Sequence, residues 1–117
     1  MEMKVHLHSD VFDIVKAGDK NVEARLYDDK RKQLSIGDTL IFLRRPLEED
    51  KIVAKVTDLV RYSNFAELVE NYEMKRLYLD GYTKEMYLNE MSRFYTEEDQ
   101  NVDGVLAIHF EVIDDEA

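Results

Sequence analysis

The chain has 117 residues, 26 acidic against 16 basic side chains, a formal net charge of −10 and no cysteine. This length predicts one domain spanning residues 1–117, and 44% hydrophobic residues are enough for its core. The missing cysteines exclude a disulfide framework, a thiolate zinc site and a cysteine nucleophile. The longest apolar runs are about five residues, against the roughly 20 needed to span a bilayer. We therefore expect a cytoplasmic protein without membrane contact.

The charge is unevenly distributed. Residues 16–32 carry six basic and four acidic side chains, whereas residues 96–117 carry eight acidic ones and neither Lys nor Arg. A strongly acidic protein repels nucleic acid at long range, so binding to bulk duplex DNA is not expected. The segment 18–31 is where we expect a ligand, above all an anionic one.

The first third of the chain predicts strand, helix and strand. Residues 3–7 form the first strand, and Ser9 is the predicted N-cap of a short helix. The inner face of that helix carries Val11, Phe12, Ile14 and Val15. Gly18 follows where a left-handed residue would end the helix. Residues 21–27 then alternate, with Val22, Ala24 and Leu26 on one strand face and Glu23, Arg25 and Tyr27 on the other.

The remainder predicts two paired strands, a helical insertion and a closing strand. Residues 28–33 indicate a helical turn or loop, and residues 39–44 are apolar on both faces, as in a central strand. Pro46 marks a hairpin connection to a strand at residues 52–60. Ser63 or Asn64 caps a helix, and a second helical stretch carries Tyr87, Met91, Phe94 and Tyr95 on one stripe. Residues 105–113 form the last strand.

This order predicts an α+β fold built as a small β-barrel. Five to six mostly antiparallel strands would be accompanied by a short N-terminal helix and by the helical insertion before the last strand. Hairpin-length connections favour antiparallel pairing, and barrel closure would remove exposed sheet edges. An open α+β sheet is the alternative.

The strongest candidate for a site is the segment from Gly18 to Tyr27. Glu23, Arg25 and Tyr27 share a strand face at a spacing of roughly 6–7 Å, and Lys20 can lean over it from the preceding turn. An arginine fork suits phosphate or carboxylate, and a tyrosine ring suits stacking. The competing interpretation is an ordinary solvent face with a surface ion pair worth less than about 1 kcal/mol.

A resemblance to the ASCH (activating signal cointegrator homology) family favours the first interpretation. The similar segments are Gly18-x-Lys20-x-x-Glu23-x-Arg25-Leu26, Asp28-x-Lys30-Arg31 and Leu34-x-Ile36-Gly37-Asp38-x-Leu40-x-Phe42, followed by Tyr62-Ser63-Asn64-Phe65 and Gly104-Val105-Leu106-Ala107-Ile108. The resemblance implies a PUA-like β-barrel whose cleft, lined by the first of these segments, binds RNA or a modified nucleoside or nucleotide. The predicted ligand-binding residues are Gly18, Lys20, Glu23, Arg25, Lys30 and Arg31, with Tyr27 and Tyr62, which stand beside polar turns, as stacking candidates.

Two kinds of enzyme remain alternatives in the same cleft. One branch of the family comprises N4-acetylcytidine amidohydrolases that use a lysine, a threonine nucleophile and a glutamate. Lys20 matches that lysine, but Glu23 replaces the threonine, and a carboxylate is a poor substitute for an activated hydroxyl. Other relatives are proposed ribonucleases, for which Lys20, Arg25 and Tyr27 or Tyr62 are the local candidates. If the chain is an enzyme, we predict Lys20 and Glu23 as catalytic residues.

No metal or other cofactor is predicted. His6 and His8 have a minimal metal-ligand spacing on a strand, but without a third ligand we interpret them as structural. His109 is interpreted as a half-exposed strand residue. We expect a monomer, and the partner to be single-stranded or small RNA or a nucleotide-like molecule. A protein-interaction domain, using the helical insertion at residues 62–95, is the remaining alternative.

Overall fold

The computed structural model describes residues 1–114, so residues 115–117 of the predicted domain lie outside the described part. The strands are β1 (Glu2–Leu7), β2 (Val22–Leu26), β3 (Thr39–Arg44), β4 (Lys51–Tyr62) and β5 (Val105–Asp114). The α-helices are α1 (Ser9–Lys16), α2 (Phe65–Val69), α3 (Met74–Leu77), α4 (Lys84–Ser92) and α5 (Glu97–Asp103). A single 3-10 turn, Arg31–Gln33, occupies the segment predicted as a helical turn or loop.

The five strands form one mixed, curled sheet in the order β1-β3-β4-β5-β2. β1 pairs with β3 in parallel, and the other three pairings are antiparallel. The predicted PUA-like α+β fold is confirmed, with the barrel present as a half-barrel. β1 and β2 are therefore its two edge strands.

Hydrophobic clusters cover both faces of the sheet. On one face, α1 contributes Val11, Phe12 and Val15, the buried part of its predicted inner face, to a cluster with β1, β3 and β4. On the other face, Val22, Val105 and Ala107 pack against residues of the helical insertion, including Phe65 and Leu68. Ala107, which shares its strand face with His109 and Glu111, is thus fully buried. Alternation does not predict exposure correctly for a strand that is buried on both faces.

Turn residues set the boundaries of the helices. Gly18 adopts the predicted left-handed conformation after α1, with φ of 88°. The N-cap of α1 is His8, not Ser9, which is the first helical residue. Asn64 caps α2 through its side chain, in agreement with one of the two predicted alternatives.

The helical insertion between β4 and β5 contains one more break than predicted. α4 ends at Ser92, so Phe94 and Tyr95 are not on a continuous helical stripe with Tyr87 and Met91. A new helix, α5, begins with a capping box in which Thr96 and Asp99 satisfy each other's backbone amides. Within residues 1–114, none of the helices is long and apolar enough to cross a membrane.

Candidate functional site

A cavity of about 260 Å³ opens between the two edge strands of the sheet. Its walls come from the end of β1 and the start of α1, from the middle of β2, and from the helical insertion. Glu23 and Arg25 line the cavity from β2, and His6 and His8 line it from the β1 side. Several aromatic side chains of the insertion complete the lining. The cavity therefore lies at the open side of the half-barrel, between the edge strands β1 and β2, and the helical insertion covers part of it.

Lys20, Glu23 and Arg25 form a charged trio in the cavity wall, in which Lys20 and Glu23 are buried and Arg25 is half-buried. Lys20 Nζ lies 3.1 Å from Glu23 Oε1, and Arg25 Nε donates to Glu23 Oε2 at 2.7 Å. Lys20 is 2% exposed and Glu23 is 6% exposed. The competing interpretation of this strand face as an ordinary solvent face is therefore wrong at Glu23, because helices far along the chain cover it.

Lys20 also holds the backbone around it. Its Nζ donates to the carbonyl oxygen of Leu77 at 2.7 Å and to that of Val22. With Glu23, these acceptors account for all three ammonium protons. Lys20 consequently joins the start of β2 to the end of α3.

The turn before β2 directs Lys20 inward. The left-handed Gly18 allows the amides of Asp19 and Lys20 to bond to the carbonyl of Ile14, at 3.1 and 3.2 Å. Asn21 then ties α3 down: its amide donates to the carbonyl of Arg76 at 3.0 Å, and its side-chain oxygen accepts from Arg76 Nε at 2.9 Å. These contacts position the Leu77 carbonyl against the ammonium group.

The trio perturbs its own protonation equilibria. Burial lowers the pKa of Lys20, partly opposed by Glu23. Burial alone would raise the pKa of Glu23, but Arg25 and Lys20 together hold it below its usual value. Burial opposes the charged form of Arg25 as well, yet Glu23 and Tyr95 raise its pKa. Glu23 is thus ionised and Arg25 protonated at neutral pH.

Arg25 additionally bridges the two edge strands. Its Nη2 donates to the carbonyl oxygen of His6 at 3.3 Å, so a side chain of β2 reaches the backbone of β1. The Arg25 guanidinium therefore closes the cavity wall between β1 and β2, which do not pair with each other.

Aromatic side chains of the insertion form the opposite wall. Tyr78, Tyr87, Phe94 and Tyr95 all line the cavity. Tyr87 is buried, and its pKa is raised by burial and by Glu23. Burial likewise raises the pKa of Tyr78, to about 12. Tyr95 stacks on Phe65, with ring centroids 5.2 Å apart, while Phe94 is 57% exposed and presents its ring at the mouth.

The charge of the lining opposes that of the whole chain. Among the described residues that line the cavity, Lys20, Arg25 and Arg45 are cations and Glu23 is the acidic residue. In a protein of net charge −10, this surplus favours an anion inside the cavity.

The structure brings three of the predicted site residues together and leaves five outside the lining. Lys20, Glu23 and Arg25 meet in the wall. Gly18 shapes the turn without lining the cavity. Tyr27 packs against the α1 side of the core with the Arg61 guanidinium 4.2 Å above its ring. The remaining three also lie outside the lining. Lys30 precedes the 3-10 turn, and Arg31 pairs with Asp28 at 3.2 Å. The Tyr62 hydroxyl donates a hydrogen bond to the Tyr72 hydroxyl at 3.1 Å.

The histidines are divided between two places. His6 and His8, predicted to be structural, both line the cavity. His109 does not: its Nε2 lies 2.7 Å from the hydroxyl of Tyr72. Within residues 1–114, no group of three His, Asp or Glu side chains is arranged to hold a metal ion.

Sequence reasoning missed Arg45 and the aromatic wall. A signal for Phe94 was present, because the Thr96-x-x-Asp99 capping box places Phe94 and Tyr95 in a connection between two helices. Arg45 left no such signal. Only the parallel pairing of β1 with β3 brings the end of β3 beside the cavity.

Comparison with known proteins agrees with this fold. The ASCH domain model matches residues 5–114, and the chain therefore belongs to the ASCH domain family, within the PUA-like superfamily. None of the curated proteins is significantly similar to the chain.

Solved structures show the same architecture over nearly the whole chain. Hypothetical protein PH0355 is 33% identical with a TM-score of 0.84, covering 97% of this chain and 100% of its own. Protein PF0455 from Pyrococcus furiosus is 29% identical with a TM-score of 0.76, covering 97% and 99%. A mutant of ZmASCH from Zymomonas mobilis is 13% identical with a TM-score of 0.68, covering 98% of this chain and 69% of that one, and supports the fold alone.

Proposed function

We propose that this protein binds RNA or a nucleotide-like molecule in the cavity beside Glu23 and Arg25. The observation that carries the proposal is the pairing of a positively charged lining with an open aromatic ring, Phe94, at the mouth. Nucleotides combine an anionic phosphate with a planar base, and stacking on an aromatic side chain contributes about 1–3 kcal/mol per base. ASCH domains generally bind RNA, which supports the same ligand class.

The roles of the trio follow from its geometry. Both oxygens of Glu23 are occupied by cations, and Lys20 has no proton left for a ligand. The trio therefore supplies a fixed electrostatic field and a rigid wall, and Arg25 is the member of it that is exposed enough to contact the ligand. Tyr95 beside Arg25 would border the base.

A backbone NMR titration tests the proposal. Nucleosides, nucleotides, N4-acetylcytidine and a short single-stranded RNA are added in turn to the labelled protein. We expect shifts at the amides of Lys20, Arg25, Phe94 and Tyr95, with the exposed strand residues of β4 unaffected. A spectrum that does not respond to any of the compounds would rule out this ligand class.

A hydrolase acting in the same cavity is the second candidate. It is favoured by one observation: Lys20, with a lowered pKa, contacts a carboxylate inside the cavity wall. Such a pair is typical of sites that transfer protons. Within the described lining, however, there is neither serine nor threonine. The aliphatic hydroxyl nucleophile that acyl transfer from N4-acetylcytidine would use is therefore lacking there, and RNA is the better substrate.

Turnover assays separate binding from catalysis. The protein is incubated with short single-stranded RNA and with N4-acetylcytidine, alongside Lys20→Met. A hydrolase of the kind described would cleave the RNA, leave the acetylated nucleoside intact, and lose activity in the variant. Because Lys20 is buried and paired with Glu23, the comparison is made under conditions in which the NMR spectrum shows that the variant is folded. Absence of cleavage in the wild type would leave the binding role alone.

A further inference from the structure

We infer that Arg45 is the phosphate-recognition residue of the cavity, so that the ligand carries a phosphate group and is not a free nucleoside. The inference rests on the proposed function and specifies its ligand class. The phosphate belongs either to a free nucleotide or to the backbone of an RNA strand, and both present the same chemistry to a guanidinium group.

The backbone places Arg45 at the mouth. Arg45 follows the last residue of β3, and its amide donates to the carbonyl of Leu7 at 2.9 Å. Because β1 and β3 are parallel, both strands end at this point. Arg45 consequently lies beside His6 and His8 on the rim, and its side chain lines the cavity.

Other arginines near the cavity already have partners. Arg44 bonds to Asp13 at 2.8 Å and to Asp50 at 3.0 Å, and Arg25 is held by Glu23. Arg45 is exposed, and within residues 1–114 its guanidinium makes no ion pair or hydrogen bond. This is notable in a chain with 26 acidic and 16 basic side chains.

Glu48, an acidic side chain close to Arg45 in the sequence, is engaged by His6. Glu48, on the connection between β3 and β4, has its Oε1 2.5 Å from Nε2 of His6 and does not line the cavity. The guanidinium of Arg45 is therefore the cation of the cavity lining that has no acidic partner within residues 1–114. Its planar fork binds phosphate oxygens in pairs, which a buried and fully bonded Lys20 cannot do.

The test compares three probes that share one base. Isothermal titration calorimetry measures the binding of a nucleoside, of its 5′-monophosphate, and of a tetranucleotide without terminal phosphates, for each of the four common bases. The proteins are the wild type, Arg45→Gln and Lys55→Gln. Lys55→Gln removes the same charge from an exposed position on β4, outside the cavity, and controls for net charge.

The inference predicts a selective loss. Arg45→Gln should weaken the monophosphate or the tetranucleotide about tenfold, the size expected for losing a charge-assisted hydrogen bond, while nucleoside affinity changes less than twofold. Lys55→Gln should bind all probes as the wild type does. Tighter wild-type binding of the monophosphate indicates a free nucleotide, and tighter binding of the tetranucleotide indicates RNA.

Two results would contradict different claims. If the wild type binds the probes and Arg45→Gln weakens all of them equally, or none, Arg45 does not read phosphate and the inference is overturned while the binding function stands. If the wild type binds none of the probes, the proposed function itself fails.

Discussion

Lys20 and Glu23 form a buried ion pair, with Nζ and Oε1 3.1 Å apart and both side chains almost fully excluded from solvent. Arg25 completes the arrangement at the second carboxylate oxygen. Burying charges is costly unless each has a partner, so the carboxylate stabilises the two cations and they stabilise it. The cavity wall therefore depends on one acidic residue.

Glu23→Gln should destabilise the fold strongly. The substitution keeps the size of the side chain but removes the anion between buried Lys20 and half-buried Arg25. Breaking a buried pair in this way costs about 3–5 kcal/mol. Urea denaturation followed by circular dichroism gives the free energy of unfolding.

Glu111→Gln is the matched control. Glu111 is exposed on β5, and the same substitution there should change the free energy of unfolding by less than about 0.5 kcal/mol. Equal effects at the two positions would show that the charged trio does not stabilise the protein.

The stabilisation by Glu23 should depend on pH. Its pKa in the folded state lies below the usual 4.5, so the unfolded chain takes up a proton first on acidification. The contribution is fully present above pH 4.5 and is lost as the pH falls through the folded-state pKa. The difference in unfolding free energy between wild type and Glu23→Gln should thus shrink below pH 4.5, measured by urea denaturation from pH 7 downward. A difference that stays constant over this range would contradict the lowered pKa.

Much of the fold could be predicted because its signals are local. Strand alternation, the left-handed Gly18 and the Asn64 cap mark element boundaries independently of the rest of the chain. The motif that contains Lys20, Glu23 and Arg25 identified the residues that meet in the cavity wall.

The rest of the site depends on contacts between distant parts of the chain. Alternation assigns Glu23 to solvent, but α3 and α4, more than 50 residues later, cover it. Arg45 reaches the rim through the parallel pairing of β1 and β3, which nearby sequence does not encode. Tyr27 and Tyr62, chosen for their polar neighbours, pack against the two cores instead.

Phe94→Ala should weaken nucleotide binding without affecting the fold. The ring is 57% exposed, so removing it loses little buried area. Loss of a stacked base costs about 1–3 kcal/mol, which is roughly 5-fold to 150-fold in affinity. Calorimetry and thermal melting measure the two quantities. Val102→Ala, at an exposed apolar residue of α5, should change neither. Unchanged affinity in Phe94→Ala would remove the stacking role.

Arg25→Lys tests the bridge between the edge strands. Lysine keeps the positive charge near Glu23, but its single ammonium group cannot replace a guanidinium fork that reaches both Glu23 Oε2 and the carbonyl of His6. We expect a loss of about 1 kcal/mol in unfolding free energy, the size of one hydrogen bond.

The location of the effect distinguishes a lost bridge from general destabilisation. Amide hydrogen exchange should accelerate in β1 and β2, which the guanidinium connects, while the central β4–β5 pairing keeps its protection. Arg93→Lys, at an exposed arginine paired with Glu90, controls for the chemical change and should leave exchange unaltered. Uniform acceleration across all five strands would mean that Arg25 stabilises the domain as a whole, and that the half-barrel does not rely on this contact to keep its open edge in place.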